Sequence, residues 1–74
     1  MRNGDAKNQF GKRLRELRLN AGISQEQLAD DAELDRSYVG GVERGERNIS
    51  LENICKLASA LNVAASKLLE FDGE

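Results

Sequence analysis

The stretch that decides the fold spans residues 24–44 and reads SQEQLADDAELDRSYVGGVER. Ser24 is followed three positions later by Gln27, which is the spacing of a capping box at the N-terminus of a helix. Asp35, a residue type that caps helices well, precedes a second segment of helical periodicity. The stretch therefore predicts two short helices joined by a tight turn, with polar side chains at the start of the second helix.

Apolar residues recur at intervals of three and four on both sides of this stretch, and the chain contains no proline. One stripe consists of Phe10, Leu14, Leu17 and Ala21, and another consists of Leu51, Ile54, Ala58 and Leu61. We therefore predict a single all-α domain of five helices over residues 1–74. In this prediction residues 1–7 are flexible and the helices lie near 8–20, 24–32, 36–44, 51–61 and 65–71.

The composition argues against several classes of function. The 74 residues include no histidine and one cysteine, Cys55. The commonest general base and metal ligand is therefore missing, and no disulfide can form within the chain. Because no nucleophile–base pair and no phosphate-binding loop is recognisable, we expect neither an enzyme nor a site for a metal, cofactor or small ligand. We interpret Cys55 as a small core residue.

Charge and hydropathy bear on the partner and the compartment. The net charge is −2, but residues 1–24 carry +4, residues 25–50 carry −4 and residues 51–74 carry −2. Such a local field steers charged partners, although a solvated basic helix face is the alternative interpretation. The sequence has no signal-peptide segment and no apolar run as long as a membrane span, and its thiol is free. These features favour a cytoplasmic protein without membrane association.

An ordered set of residues carries a resemblance to a known family. The set consists of Leu14, Leu17, Arg18, Gly22, Ile23, Ser24, Gln25, Leu28, Ala29, Leu34, Tyr38, Val39, Val42, Glu43, Gly45, Ser50, Leu51 and Leu61. At this spacing the sequence resembles the phage-repressor and Cro-like (XRE-type) helix-turn-helix family, and residues 34–48 most resemble controller proteins of restriction–modification systems. The resemblance implies a repressor-like domain that binds double-stranded DNA as a homodimer. It also implies transcriptional regulation from a pseudo-palindromic operator, such as one at the protein's own promoter.

The resemblance implies roles for residues near the helix-turn-helix. Gln25, at the start of the first helix of the motif, matches a glutamine that contacts a phosphate. Arg36 and Ser37 match positions that reach base edges, where an arginine pairs best with guanine. Tyr38 could contact a phosphate or a thymine methyl group, and its alternative role is in the core.

Further matches lie after the second helix of the motif. Arg47 and Asn48 match a loop that flanks the phosphate backbone, and Ser50 caps the next helix and adds a backbone contact. The alternative for Arg47 and Asn48 is ordinary loop polarity. Arg18 and Glu43 match a pair that forms a salt bridge between the first and third helices.

Two departures concern glycine. The family often has glycine in the turn where this chain has Glu33, so either the turn takes another shape or strain is tolerated there. Gly40 and Gly41 lie inside a predicted helix, which weakens it. We interpret Gly41 as a position that lets the third helix sit deep in a DNA groove, and a slightly weak helix is the alternative.

The resemblance implies a dimer, and three apolar residues are our predicted dimer contacts. Val63, Leu69 and Phe71 have apolar surface with no evident use within the chain. The alternative function is an antitoxin-type repressor whose main role is to bind a protein partner. That function would require an extra binding segment, and the sequence shows none beyond Phe71.

Overall fold

Four α-helices and one 3-10 helix make up the part of the chain that the computed structural model describes, residues 3–71, with side chains from residue 6 onward. The elements are α1 (Asn3–Asn20), α2 (Gln25–Ala32), α3 (Arg36–Glu43), α4 (Leu51–Leu61) and a C-terminal 3-10 helix (Ala65–Leu69). Residues 3–71 contain no strand. The predicted all-α class is therefore confirmed.

The start of α1 was predicted wrongly. The helix begins at Asn3 and not near residue 8, so residues 3–7, which we predicted to be flexible, are helical. Residues 1 and 2 lie outside the described residues. The apolar stripe starts only at Phe10, so periodicity gave no signal for the polar first turns, although Ala6 and Lys7 are good helix formers.

The last element also differs from the prediction. It is a 3-10 helix that ends at Leu69, whereas a fifth α-helix to Phe71 was expected. Short helical pieces often take this tighter form, because they gain little from the few hydrogen bonds that an α-helix of that length could make. The other three helices agree with the prediction to within one residue, and α4 agrees at both ends.

In the turn between α2 and α3, a residue other than glycine adopts the left-handed conformation. Glu33 ends α2 with φ 59° and ψ 42°, so the structure favours tolerated strain over another turn shape. The N–H of Leu34 donates to the carbonyl of Ala29 at 2.8 Å, and the Leu34 side chain packs against the core. This closed turn fixes the start of α3 directly after α2.

The core lies where the apolar faces of the four α-helices meet. Its fully buried side chains are Leu14, Leu28, Val39, Val42, Leu57 and Leu68. Leu68 comes from the 3-10 helix, which packs on α1 and α4. Because α2 and α3 both contribute to one core, they form a rigid pair that can present side chains at fixed positions.

α1 and α3 approach closely at Gly11. A Cβ atom on Gly11 would lie 2.5 Å from the carbonyl oxygens of both Val42 and Glu43. These are backbone atoms, so no side-chain rotation could make room. The missing side chain therefore lets α1 lie directly against the last turn of α3, a role that the sequence analysis did not assign.

One prediction about burial is wrong, and two of the apolar stripes are shorter than the sequence pattern. Cys55 is exposed and not part of the core. Ala21 is exposed, because α1 ends one residue before it. Leu51 is 74% exposed, because it lies in the first turn of α4 and the buried stripe of that helix starts at Ile54. Within residues 3–71, no helix combines the length and the apolar character that a membrane span requires.

Candidate nucleic-acid interface

The N-terminus of α2 offers backbone amides to an anion. Ser24 caps the helix, and its Oγ accepts a hydrogen bond from the N–H of Gln27 at 3.0 Å. The Gln27 side chain donates to Asp31 Oδ1 at 2.9 Å, so it does not complete the predicted capping box. The N–H groups of Gln25 and Glu26 precede the first intrahelical bonds, at the positive end of the helix dipole. Gln25 therefore lies where a phosphate would be favoured.

The side chain of Gln25 is held by a buried ion pair. Its Nε2 donates to Glu43 Oε1 at 3.0 Å, which leaves its second N–H free. The same carboxylate accepts Arg18 Nε at 2.6 Å and Arg18 Nη2 at 3.0 Å. The side chains of Arg18 and Glu43 are only 9% and 3% exposed, and the hydrogen bond to Glu43 raises the pKa of Arg18. The pair implied by the resemblance is thus present, and it joins α1, α3 and the first residue of α2.

The first turn of α3 presents two exposed polar side chains. Arg36 has no hydrogen bond or ion pair to any residue in the described part of the chain. Ser37 donates its Oγ hydrogen to Asp35 Oδ2 at 3.3 Å. Asp35 occupies the N-cap position, but its carboxylate makes no capping hydrogen bond, contrary to the simplest expectation. Arg36 is therefore free to reach a ligand beyond the helix, and Ser37 is within reach of the same space.

Tyr38 packs against the core, which was the alternative role predicted for it, and its hydroxyl group contacts α4. Its ring is half-buried and packs against the core. Its hydroxyl oxygen accepts a hydrogen bond from Asn53 Nδ2 of α4 at 3.1 Å. The guanidinium carbon of Arg47 lies 5.6 Å from the ring centre, a cation–π distance. The sequence gave no sign of Asn53, because its contact with Tyr38 arises only when α3 and α4 pack together.

The loop from α3 to α4 supplies the remaining predicted side chains. Arg47 and Asn48 are exposed, and Ser50 caps α4 by accepting the N–H of Asn53 at 3.1 Å. A Cβ atom on Gly41 would lie 3.2 Å from Cγ and Nε of Arg47. The space above Gly41 is thus occupied by its own chain. We interpreted Gly41 as a position that lets α3 sit deep in a DNA groove. The structure corrects this interpretation, because the missing side chain of Gly41 makes room for the side chain of Arg47.

A second arginine near Gln25 was not foreseen. Arg44 donates Nε and Nη2 to the carboxylate of Glu46, at 3.0 and 3.2 Å. The hydrogen bond raises the pKa of Arg44 and lowers that of Glu46. A Cβ atom on Gly40 would lie 3.1 Å from Arg44 Nη1 and 3.5 Å from Gln25 Oε1. Gly40 therefore leaves a hollow over which these two polar side chains converge.

The structure brings three of the seven predicted binding residues together through contacts. Asn53 contacts both Tyr38 and Ser50, and the guanidinium of Arg47 lies over the Tyr38 ring. Gln25 is fixed to the other end of α3. No hydrogen bond or ion pair in the described residues ties Arg36, Ser37 or Asn48 to this group.

The predicted dimer residues divide into two kinds. Val63 and Phe71 are half-buried and pack against the core of their own chain, so their apolar surface is used internally, contrary to our expectation. Leu69 remains 50% exposed. Leu69 and Phe71 line an open groove that also contains Ile49 and Arg47, so this face adjoins the α3–α4 loop.

Known proteins are similar to this chain in sequence and architecture. The helix-turn-helix family model matches residues 14–68. Control protein C.BamHI of Bacillus amyloliquefaciens is 46% identical over 63 residues, which cover 84% of this chain and 78% of that protein. Control protein C.SmaI of Serratia marcescens is 44% identical over 69 residues, covering 93% and 82%. The crystal structure of the restriction–modification controller protein C.AhdI from Aeromonas hydrophila is 61% identical with a TM-score of 0.83, covering 84% of this chain and 94% of that chain.

Proposed function

Because this chain belongs to the XRE-type helix-turn-helix family of DNA-binding transcriptional regulators, we propose that it acts as a homodimer on a pseudo-palindromic operator. Its similarity to restriction–modification control proteins supports the proposal that this protein is such a controller and regulates its own promoter. The proposed activity is DNA binding without catalysis, and the proposed compartment is the cytoplasm.

Base recognition is assigned to the first turn of α3. The observation that carries the proposal is that Arg36 is exposed and unpaired among the described residues, at the start of a helix fixed by the core. An arginine at that place in the major groove would donate two hydrogen bonds to O6 and N7 of a guanine. Ser37 is the second candidate for contact with a base edge, after exchange of its bond to Asp35.

Backbone binding is assigned to residues on either side of α3. Gln25 would donate its free N–H to a phosphate beside the amides at the start of α2. Arg47, Asn48 and Ser50 would hold a phosphate at the α3–α4 loop, and Tyr38 would contact the backbone next to them. Such contacts fix the position of α3 on the duplex without selecting sequence.

Dimerisation is assigned to the face that contains Leu69. A domain of this size has a small core, and association is a common supplement to its stability. A two-fold dimer would present two α3 helices to half-sites about 34 Å apart, one turn of the duplex. The groove beside Leu69 adjoins Arg47, so a contact there would couple dimerisation to the position of the loop.

The proposal is tested by selection from a random duplex pool with purified protein. The selected duplex and a scrambled duplex are then titrated at two salt concentrations. We expect a pseudo-palindromic sequence that is bound about 10³-fold or more tightly than the scrambled one. Weak binding without enrichment, with a steep salt dependence, would show backbone attraction alone and would contradict the proposal.

A further inference from the structure

Asn53 connects two side chains of the proposed DNA surface. It lies in the first turn of α4, where its backbone N–H donates to Ser50 Oγ at 3.1 Å. Its side-chain Nδ2 donates to the hydroxyl oxygen of Tyr38 at 3.1 Å. Asn53 itself is half-buried, whereas Ser50 is exposed. One residue of α4 thereby fixes both the cap of its own helix and the hydroxyl of a residue on α3.

The donor and acceptor capacity of the tyrosine hydroxyl determines what this contact does. A phenolic hydroxyl has one hydrogen to donate and accepts with its oxygen lone pairs. Asn53 occupies the acceptor side, and among the described residues no group accepts the hydroxyl hydrogen of Tyr38. The guanidinium of Arg47 over the ring restricts the ring's motion at the same time. The hydroxyl is therefore held as a donor whose hydrogen is available to another molecule.

We infer that Asn53 is a positioning residue for DNA binding, which holds the Tyr38 hydroxyl so that it donates to a phosphate oxygen of the operator. The inference rests on the proposed function, because it assumes that α3 and the α3–α4 loop face the duplex. A phosphate oxygen fits the contact because it only accepts hydrogen bonds and is charged, which strengthens the bond from a neutral donor. Asn53 does not touch the DNA in this scheme.

Four variants test the inference on the selected operator: Tyr38→Phe, Asn53→Ala, Asn53→Asp and the double variant Tyr38→Phe with Asn53→Ala. Tyr38→Phe removes the donor and should weaken binding roughly tenfold, the effect of one hydrogen bond to a charged group. Asn53→Ala should weaken binding severalfold in the native background and should have no further effect in the Tyr38→Phe background. Asn20→Ala removes an exposed amide at the end of α1 and serves as a control that should bind normally.

Asn53→Asp gives the sharper result because it keeps the shape and reverses the hydrogen bond. A carboxylate accepts and does not donate, so the Tyr38 hydroxyl would turn its hydrogen toward residue 53 and away from DNA. Binding should fall at least as far as in Tyr38→Phe. Tyr38 is the chain's only tyrosine, so the Raman doublet of tyrosine should report the change from acceptor to donor in the free protein.

Thermal unfolding of each variant separates loss of fold from loss of binding. Normal binding by Asn53→Ala would overturn the inference, as would an equal loss in the native and Tyr38→Phe backgrounds. Failure of the wild-type protein to bind any duplex specifically would instead contradict the proposed function. The two failures are therefore distinguishable.

Discussion

Arg18 of α1 and Glu43 of α3 form a two-bond ion pair inside the protein, with Nε and Oε2 2.6 Å apart. Arg18 Nη1 also donates to the carbonyl of Ile23 at 3.0 Å, so the guanidinium satisfies a backbone group of the loop before α2. The pair thus joins α1, α3 and the loop before α2, and the proposed function requires these segments to keep fixed relative positions.

Removal of one partner should be strongly destabilising. Arg18→Met keeps much of the stem but leaves the Glu43 carboxylate buried without its charge partner, and we expect a loss of about 3–5 kcal/mol in the free energy of unfolding. A double variant that also carries Glu43→Leu should lose less than Arg18→Met alone, because no buried charge remains. Urea unfolding measures both. A loss below about 1 kcal/mol for Arg18→Met would show that the pair is dispensable.

Gly11 and Gly41 should respond differently to alanine. Gly11→Ala places a Cβ atom 2.5 Å from two backbone oxygens, and we expect a loss of about 1–3 kcal/mol through overpacking. Gly41→Ala meets only the Arg47 side chain, which can move, and alanine favours the helix by roughly 0.8–1 kcal/mol. Its stability should therefore be unchanged or slightly higher in urea unfolding. If both variants lost the same free energy of unfolding, the Arg47 side chain would be unable to move away from a Cβ atom on residue 41.

Much of this fold was predictable because its local signals agree. α4 was predicted at both ends, since Ser50 caps its start and Asn62 takes the left-handed conformation at its end. α1 was predicted to start too late, because Ala6 is the only apolar residue of the helix before Phe10 and one alanine gives no clear period. The position of Cys55 was missed because free cysteine is usually buried, whereas Cys55 lies outside the buried face of α4.

The candidate site was only partly predictable. The resemblance to a family supplied Gln25, Arg36 and Tyr38, because those positions follow from alignment with a motif. The hydrogen bond from Asn53 to Tyr38 and the close approach at Gly11 depend on how helices distant in sequence pack. No periodicity or spacing contains that information, so these features required the structure.

Replacement of Glu33 by glycine should stabilise the protein. The left-handed conformation costs a non-glycine residue roughly 1–2 kcal/mol, and glycine loses about 0.4–1 kcal/mol more entropy on folding. Glu33→Gly should therefore stabilise the protein by about 0.5–1 kcal/mol, measured by thermal unfolding. Asp30→Gly, at an exposed position inside α2, is the matched control and should lose about 0.3 kcal/mol. A loss in both variants would indicate that Glu33 stabilises the turn in another way.

Leu69 should be needed for association. Leu69→Glu introduces a charge on the face proposed for the dimer, and a buried unpaired carboxylate opposes association. We expect the sedimentation coefficient to fall to that of a monomer at concentrations where the wild-type protein is dimeric. Leu19→Glu changes another leucine, 55% exposed on α1, and should leave the dimer intact. Dimerisation of Leu69→Glu with wild-type affinity would place the interface elsewhere.

Arg36 and Arg47 should affect DNA binding in different ways. Arg36→Ala should cost about 1–3 kcal/mol on the selected operator and relax the preference at one base pair, because a base contact is lost. Arg47→Met keeps the stem over Gly41, should weaken binding to all duplexes alike and should lower the salt slope by about 1. Lys12→Ala removes one exposed positive charge on the surface of α1 near Glu70, and it should change neither base preference nor slope. If Arg36→Ala instead weakened selected and scrambled duplexes equally, Arg36 would be a backbone contact, and base recognition would have to be reassigned to Ser37 and the loop.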